Sequence, residues 1–230
     1  MELLGGNFRF EEGKVPPPPE GTDPCAWITK ELVQYGSVEY YPTEANIANF
    51  HPNFWVTGLP EERIFFGVVT ELHTVGAPAV QLVVDSQEAV STKDIKKLKE
   101  SLDALLDLLN KLTFDVFSKI QQQRKAPFYT DAAIWSKVVA PFATPMHSTA
   151  FGPSGTASPI IHLLDAFFGR IKHEHFIGKE VRGIYASFPP NWKDFFNAVR
   201  NGPSVQTFVV ESDDRELQGL FGTCLRQYAG

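Results

Sequence analysis

Between Ile95 and Val116 the residues Ile95, Leu98, Leu102, Leu105, Leu109, Leu112 and Val116 recur at alternating spacings of three and four, with Lys, Glu and Asp among the positions between them. That spacing lines one face of a helix with apolar groups and leaves the charges on the other. Ser91 and Asp94 stand ahead of the run as a capping pair. Leu106, Leu108, Phe114 and Phe117 widen the stripe beyond the narrow seam of a coiled coil, so the pattern predicts a long helix over 91–120, buried in a bundle.

A second apolar face lies upstream. Pro60 opens a segment in which Ile64, Phe65, Val68, Val69 and Leu72 fall on one broad side of a helix, until Gly76 and Pro78 interrupt it. Val80 to Val84 is the one run with strand character, and between two helices it is expected to continue the first. Further helices are predicted at Pro127–Ala140, Ser158–Phe168 and Pro190–Asn201, the last closed by Gly202. Asp213 with Glu216 then caps a final helix reaching Tyr228. The fold class read from these patterns is all-α, a helical bundle over residues 58–230.

The first 57 residues read differently. Gly5-Gly6 and the run Pro16–Pro19 favour extended chain over packed structure, so residues 1–22 are expected to form an arm. Asp23 before Pro24 marks a helix start, and Cys25, Ile28 and Leu32 share one face before Gly36 ends the turn. Tyr40 to Thr57 is rich in Pro, Asn and aromatics and has no period. Residues 1–57 are therefore expected to be a proline-rich, irregular region with one short helix.

A chain of 230 residues is long enough to bury a sizeable core. Its 27 acidic and 21 basic residues give a net charge of −6, and no Lys/Arg block is interleaved with aromatics, so no nucleic-acid partner is expected. No apolar run is expected to approach the roughly 18–20 residues of a bilayer span, and the N-terminus lacks a basic segment followed by an apolar one. A cytoplasmic protein with no membrane partner is the expectation. The two cysteines, Cys25 and Cys224, are far apart and read as reduced thiols. Phenylalanine, with 19 copies, is in excess, which suits a flat aromatic ligand as well as ordinary packing.

Chemistry-bearing motifs are few. Gly152-Pro153-Ser154-Gly155-Thr156 leads into Ser158-Pro159, a flexible loop followed by a helix start whose backbone N–H groups can meet an anion or a polarised oxygen. A serine nucleophile there would need a preceding strand, which Phe142-Ala143-Thr144-Pro145 does not suggest, and no Gly-Lys-Ser/Thr of a phosphate loop occurs. His173-Glu174-His175 places its imidazoles at i and i+2, which do not share a helix face. His162 falls inside the apolar run I-I-H-L-L-D, as a core histidine or a group turned toward a cofactor, and Asp165 three residues later requires a partner if buried.

The order of G-P-S-G-T-A-S-P, I-I-H-L-L-D-A-F-F-G, F-P-P-N-W-K-D-F-F and N-G-P-S-V-Q-T-F-V between Gly152 and Val210 resembles the indoleamine 2,3-dioxygenase family, whose members are all-helical haem proteins that insert dioxygen into the indole of tryptophan. The resemblance runs from about Phe54 to Tyr228 and implies a bundle similar to the family's large domain. It also implies haem (iron protoporphyrin) as cofactor, held through Gly152, Ser154, Gly155, His162 and Asp165. Phe128 and Tyr129 match the paired aromatics that contact the substrate, and Ser154 and Gly155 the loop near its amino group. The cofactor would then carry the electronic step while side chains orient the substrate and exclude water, so no acid–base dyad is required.

The sequence departs from the family pattern in three places. Ala133 stands where the family has an arginine that pairs with the tryptophan carboxylate, so the implied substrate is an indole or related aromatic metabolite rather than tryptophan in particular. The resemblance implies that the family's small N-terminal domain is mostly missing or replaced by the proline-rich first 57 residues. The family's iron-ligating histidine lies on a helix beyond the segment matching Glu216–Tyr228, and the sequence ends at Gly230, so the expected ligand is His162, the His173/His175 pair, or a group from a second chain after self-association. The alternatives are a non-catalytic, shortened member that binds an aromatic molecule or a partner protein, and a truncated gene product.

Overall fold

The computed structural model describes residues 56–143, 157–170 and 176–229. The arm and short helix expected before residue 56, the Gly152–Thr156 loop and His173–His175 lie outside the described residues. In chain order the elements are α1 (Pro60–Gly76), α2 (Ala79–Thr92), α3 (Ile95–Lys111), a π-helical turn (Leu112–Val116) running into a 3-10 turn (Phe117–Lys119), and α4 (Ala132–Ile134). A second π-helical turn (Trp135–Val139) and a 3-10 turn (Ala140–Ala143) extend α4. Then come α5 (Pro159–Phe167), α6 (Phe176–Ser187), α7 (Pro190–Asn201), α8 (Val205–Glu211) and α9 (Arg215–Ala229). Among the described residues the sole β feature is an isolated bridge between Gln121 and Tyr129, so the class is all-α as the pattern predicts.

Asp94 starts α3 by accepting a hydrogen bond from the Lys97 backbone N–H at 2.9 Å. Ser91 is not part of that cap: it belongs to α2, where its hydroxyl donates to the Gln87 carbonyl, and α2 ends at Lys93 in the left-handed region (φ 58°). Leu98, Leu102 and Leu105 are fully enclosed, and Leu109, Leu112 and Val116 are also buried. Against this stripe pack α2 on one side and α9 on the other. Phe114 and Phe117 do not widen the buried face; the π turn adds to the residues per revolution and rotates them outward, leaving Phe114 65% exposed.

Pro78 has no N–H to continue α1, so the chain breaks at Ala77-Pro78 and resumes as α2, with Val80 to Val84 inside that helix. The expectation that no apolar stretch nears bilayer length needs correction. By length and composition the Pro60–Thr92 stretch qualifies, with mean hydropathy 1.2 over its best window. Here Val68, Leu72, Ala79 and Val83 of that stretch are buried in the shared core. Glu62 anchors the start of α1: its carboxylate accepts from Thr57 Oγ1 at 2.6 Å and from the backbone N–H groups of Val56, Thr57 and Gly58. Burial pushes its pKa up, but the bonds from Thr57, Val56 and Gly58 outweigh that and hold it below the ordinary value.

The helix expected at Pro127–Ala140 begins later, at Asp131, whose carboxylate accepts from the Ala133 and Ile134 N–H groups. Helices α6 and α8 are additional to the predicted set. Ser204 caps α8 by accepting from Thr207 N–H, and Asp214, one residue beyond the predicted Asp213, caps α9 through Leu217 N–H. At the end of α5, Gly169 takes φ 70°, which lets the Arg170 N–H reach the Asp165 carbonyl at 2.8 Å. Gly202 serves by close approach: a Cβ there would stand 3.1 Å from Gln87 Nε2, which donates to the Val199 carbonyl at the end of α7.

Two measurements test this packing. Leu102→Ala leaves a hole in a fully enclosed site, so the unfolding free energy drops by about 3 kcal/mol in urea titration. His73 Nε2 lies 3.1 Å from Ser158 Oγ, joining α1 to the start of α5, and burial holds its pKa below the ordinary 6.5. The unfolded chain then binds the proton more readily, so this contribution is complete above pH 6.5 and fades as pH falls toward the lowered folded value. His73→Gln flattens that part of the stability–pH curve measured by thermal unfolding.

Candidate functional site

The segment between Ile120 and Asp131 is held by few bonds. The Thr130 N–H donates to the Gln121 carbonyl at 2.7 Å, closing the bridge, and Tyr129 Oη donates to Asp131 Oδ2 at 2.8 Å. That bond from Tyr129, with those from the Ile134 and Ala133 N–H groups, holds the Asp131 pKa below its ordinary value. On the other side, the Asp131 N–H donates to Glu61 Oε1 of α1 at 3.3 Å. Lys119 pairs with buried Glu71, fixing the 3-10 turn to the same helix.

These ties border a partly open cavity of about 210 Å³ lined by Ile64, Phe65, Ile120, Gln122, Thr130, Ala132 and Trp135, of which Ile120, Gln122 and Ala132 are exposed. Phe65 and Trp135 close one wall, their ring centroids 4.5 Å apart. Thr130 is 8% exposed and Glu61 4%. Thr130 Oγ1 and Glu61 Oε2 are buried with no hydrogen-bond partner among the described residues, which polar groups inside folded proteins rarely lack. A larger, open groove of about 470 Å³ runs between α2 and α3, lined by Pro78, Gln81, Leu82, Ala104, Asp107, Leu108 and Lys111.

Of the residues singled out by sequence, Phe128 is half-buried against the core and Tyr129 is turned to Asp131; neither lines the cavity, although Thr130 beside them does. His162 is 2% exposed and sits among aromatic rings, with centroids 4.8 Å from Phe188, 5.9 Å from Tyr185 and 6.3 Å from Phe196. Asp165, one turn on, is also buried, and its partner is Tyr228: the phenol donates to Oδ1 at 2.9 Å, with the Ile161 carbonyl 3.1 Å away. Burial, and then the Asp165 carboxylate, push the Tyr228 pKa far above the usual phenol range. Gly152, Ser154 and Gly155 lie outside the described residues. Sequence reasoning missed Phe65, Thr130, Trp135 and Glu61 as site residues; the adjacency of Thr130 to Phe128-Tyr129 was the one available signal.

The described residues form an all-α bundle with an aromatic-walled cavity, and no strand is found among them. The chain belongs to the indoleamine 2,3-dioxygenase family, whose sequence model matches residues 26–229. No curated protein matches the sequence.

Members of that family depend on haem. The described residues by themselves do not fit one. His162 is enclosed by Phe188, Tyr185 and Phe196, leaving no open face beside its imidazole for a porphyrin. The other described histidine, His73, is engaged with Ser158. Among the described residues no three of His, Cys, Asp and Glu gather around a common point. Cys224 is no candidate either: it is fully enclosed, and burial above all raises its pKa to about 12.

The Asp165–Tyr228 bond ties α9 to α5, and Tyr228→Phe removes a donor from a buried carboxylate. The expected loss is about 1–3 kcal/mol of unfolding free energy, measured by urea titration with and without Asp165→Asn; the two losses combine non-additively because they share one bond.

Proposed function

We propose that this chain is an indoleamine 2,3-dioxygenase-like haem oxidoreductase acting on an indole or related aromatic metabolite, which enters the cavity beside Phe65 and Trp135. That cavity is the observation that carries the reading: an apolar, aromatic wall with a single buried hydroxyl, within a chain of the dioxygenase family. Small-molecule sites are commonly built this way, with few polar groups set in apolar surroundings. Phe128 and Tyr129, on the same loop as Thr130, are proposed to flank the ligand.

Haem, when bound, supplies the activation of dioxygen, and its proposed contacts are Gly152, Ser154 and Gly155, with Ser154 and Gly155 also near the substrate. A second chain, brought by self-association, would complete the iron's coordination. The proposed setting is cytoplasmic, with a small aromatic molecule as partner and neither nucleic acid nor membrane.

The enclosure of His162 favours a second reading, in which the chain is a non-catalytic member that binds an aromatic molecule in the same cavity. Haemin titration separates the two. The dioxygenase reading expects a saturable Soret band and, after reduction and exposure to air, conversion of an indole to a product heavier by two oxygen atoms in mass spectrometry. Indole binding with no saturable Soret band rejects that reading and leaves the non-catalytic one.

A further inference from the structure

Asn201 and Gly202 form the sole Asn-Gly pair in the sequence, and the fold sets it at the corner between α7 and α8. Asn201 is the last residue of α7 and is exposed. Among the described residues nothing bonds its side-chain amide, whereas Asn197, one turn earlier, accepts from the Tyr185 phenol at 2.9 Å. Gly202 leaves the helix in extended backbone (φ −75°, ψ −175°), and its N–H donates to no carbonyl of the described residues. The end of α5 differs, since there the Phe168 N–H is engaged by the Leu164 carbonyl. At Asn201 an unheld side-chain amide thus adjoins an unheld backbone nitrogen, with no Cβ on the glycine to keep them apart.

We infer that Asn201 is a site of spontaneous covalent modification. The Gly202 nitrogen, on giving its proton to solvent, attacks Cγ of Asn201. The N–Cγ bond forms, the Cγ–Nδ2 bond breaks, and the leaving nitrogen takes protons from solvent and departs as ammonia. Water then opens the cyclic imide at either carbonyl, leaving aspartate or isoaspartate. The sum is one water consumed and one ammonia released, with nothing oxidised or reduced.

Both products place a carboxylate at the negative end of the α7 dipole. Isoaspartate also adds a methylene to the main chain between positions 201 and 202. The Gln87 amide of α2 spans this corner: Nε2 donates to the Val199 carbonyl at 2.7 Å and to the Pro203 carbonyl at 3.3 Å. It lies so close that a Cβ on Gly202 would stand 3.1 Å from it. A longer main chain shifts Pro203 away from Val199, so Gln87 keeps one carbonyl and loses the other. The change therefore loosens the seat of α7 and α8 on α2.

The full chain, incubated at neutral and at mildly alkaline pH and then mapped by mass spectrometry, tests this. Conversion at Asn201 is expected to run at least about ten-fold faster than at Asn110, Asn191 or Asn197, and to quicken about ten-fold per pH unit as the deprotonated amide fraction grows. Asn201→Gln, which keeps an amide at the helix end, is expected to show no conversion at this position and a Tm that incubation leaves unchanged. The converted parent chain is expected to melt about 2–4 °C lower, the scale of one hydrogen bond in a protein of this size. Conversion no faster than at Asn197, or seen only after unfolding in urea, overturns the site. A converted chain that melts with the unconverted one overturns the effect on the corner.

Discussion

The burial of Leu98, Leu102 and Leu105 between α2 and α9 is the constraint on which the other placements depend. Burying a leucine is worth roughly 1.5–3 kcal/mol, and here the enclosed positions follow one another along a single face, so α3 cannot rotate without exposing several at once. From α2 the contacts pass to α5, α7 and α8, and from α9 back to α8. Cys224 of α9 even donates its thiol to the Leu102 carbonyl, at 3.3 Å, inside this seam. The bundle is thus wrapped around one helix rather than assembled from equal pairs.

The same helix aims the candidate site. Its continuation, the π turn at Leu112–Val116 and the 3-10 turn to Lys119, runs along α1. There Glu71 receives Lys119 in a pair whose carboxylate side is buried. Removing either partner of such a pair costs several kcal/mol, because the survivor is left charged in a poor solvent. This pair therefore fixes where Ile120 enters the cavity wall, while the Glu61–Asp131 bond fixes where Thr130 and Ala132 do. Both ties end on α1, so the geometry of the wall depends on how α1 is set by the break at Pro78 and by the Glu62 cap.

Periodicity made α3 and α7 legible, since each buries one face behind a recognisable start, Asp94 and Pro189-Pro190, whereas α5 is buried almost all round and was legible from its start at Ser158-Pro159 and its apolar run. It failed where the period changes or the helix is too short to show one. The π turn after Lys111 turned Phe114 and Phe117 outward, against a strict 3.6-residue count. Helix α8 spans only Val205–Glu211, about two turns, held by its cap and by Val205 and Val209 in the core. Near Pro127, backbone bonding to Gln121 delayed the helix to Asp131. The cavity was the least legible part, because nothing in a sequence says that Glu61 meets Asp131, and in a first helical turn a glutamate reads as a favourable partner for the helix dipole.

Helix α5 carries the two polar groups that sequence reasoning assigned to a cofactor, and the fold gives each a different environment. His162 faces α6 and α7 through Tyr185, Phe188 and Phe196, and Asp165 faces α9 through Tyr228. Both stand where loss of the polar group would loosen a helix contact, so their burial is explained by the bundle alone. Glu61 Oε2 and Thr130 Oγ1 are the opposite case, since no helix contact accounts for leaving them unmatched inside the protein. Unsatisfied burial costs about 1–3 kcal/mol per group, a penalty that a bound donor removes. In the described part of this chain the unmatched polar atoms beside the cavity therefore lie on α1 and the 120–135 segment, and α5 serves to hold the bundle that positions them.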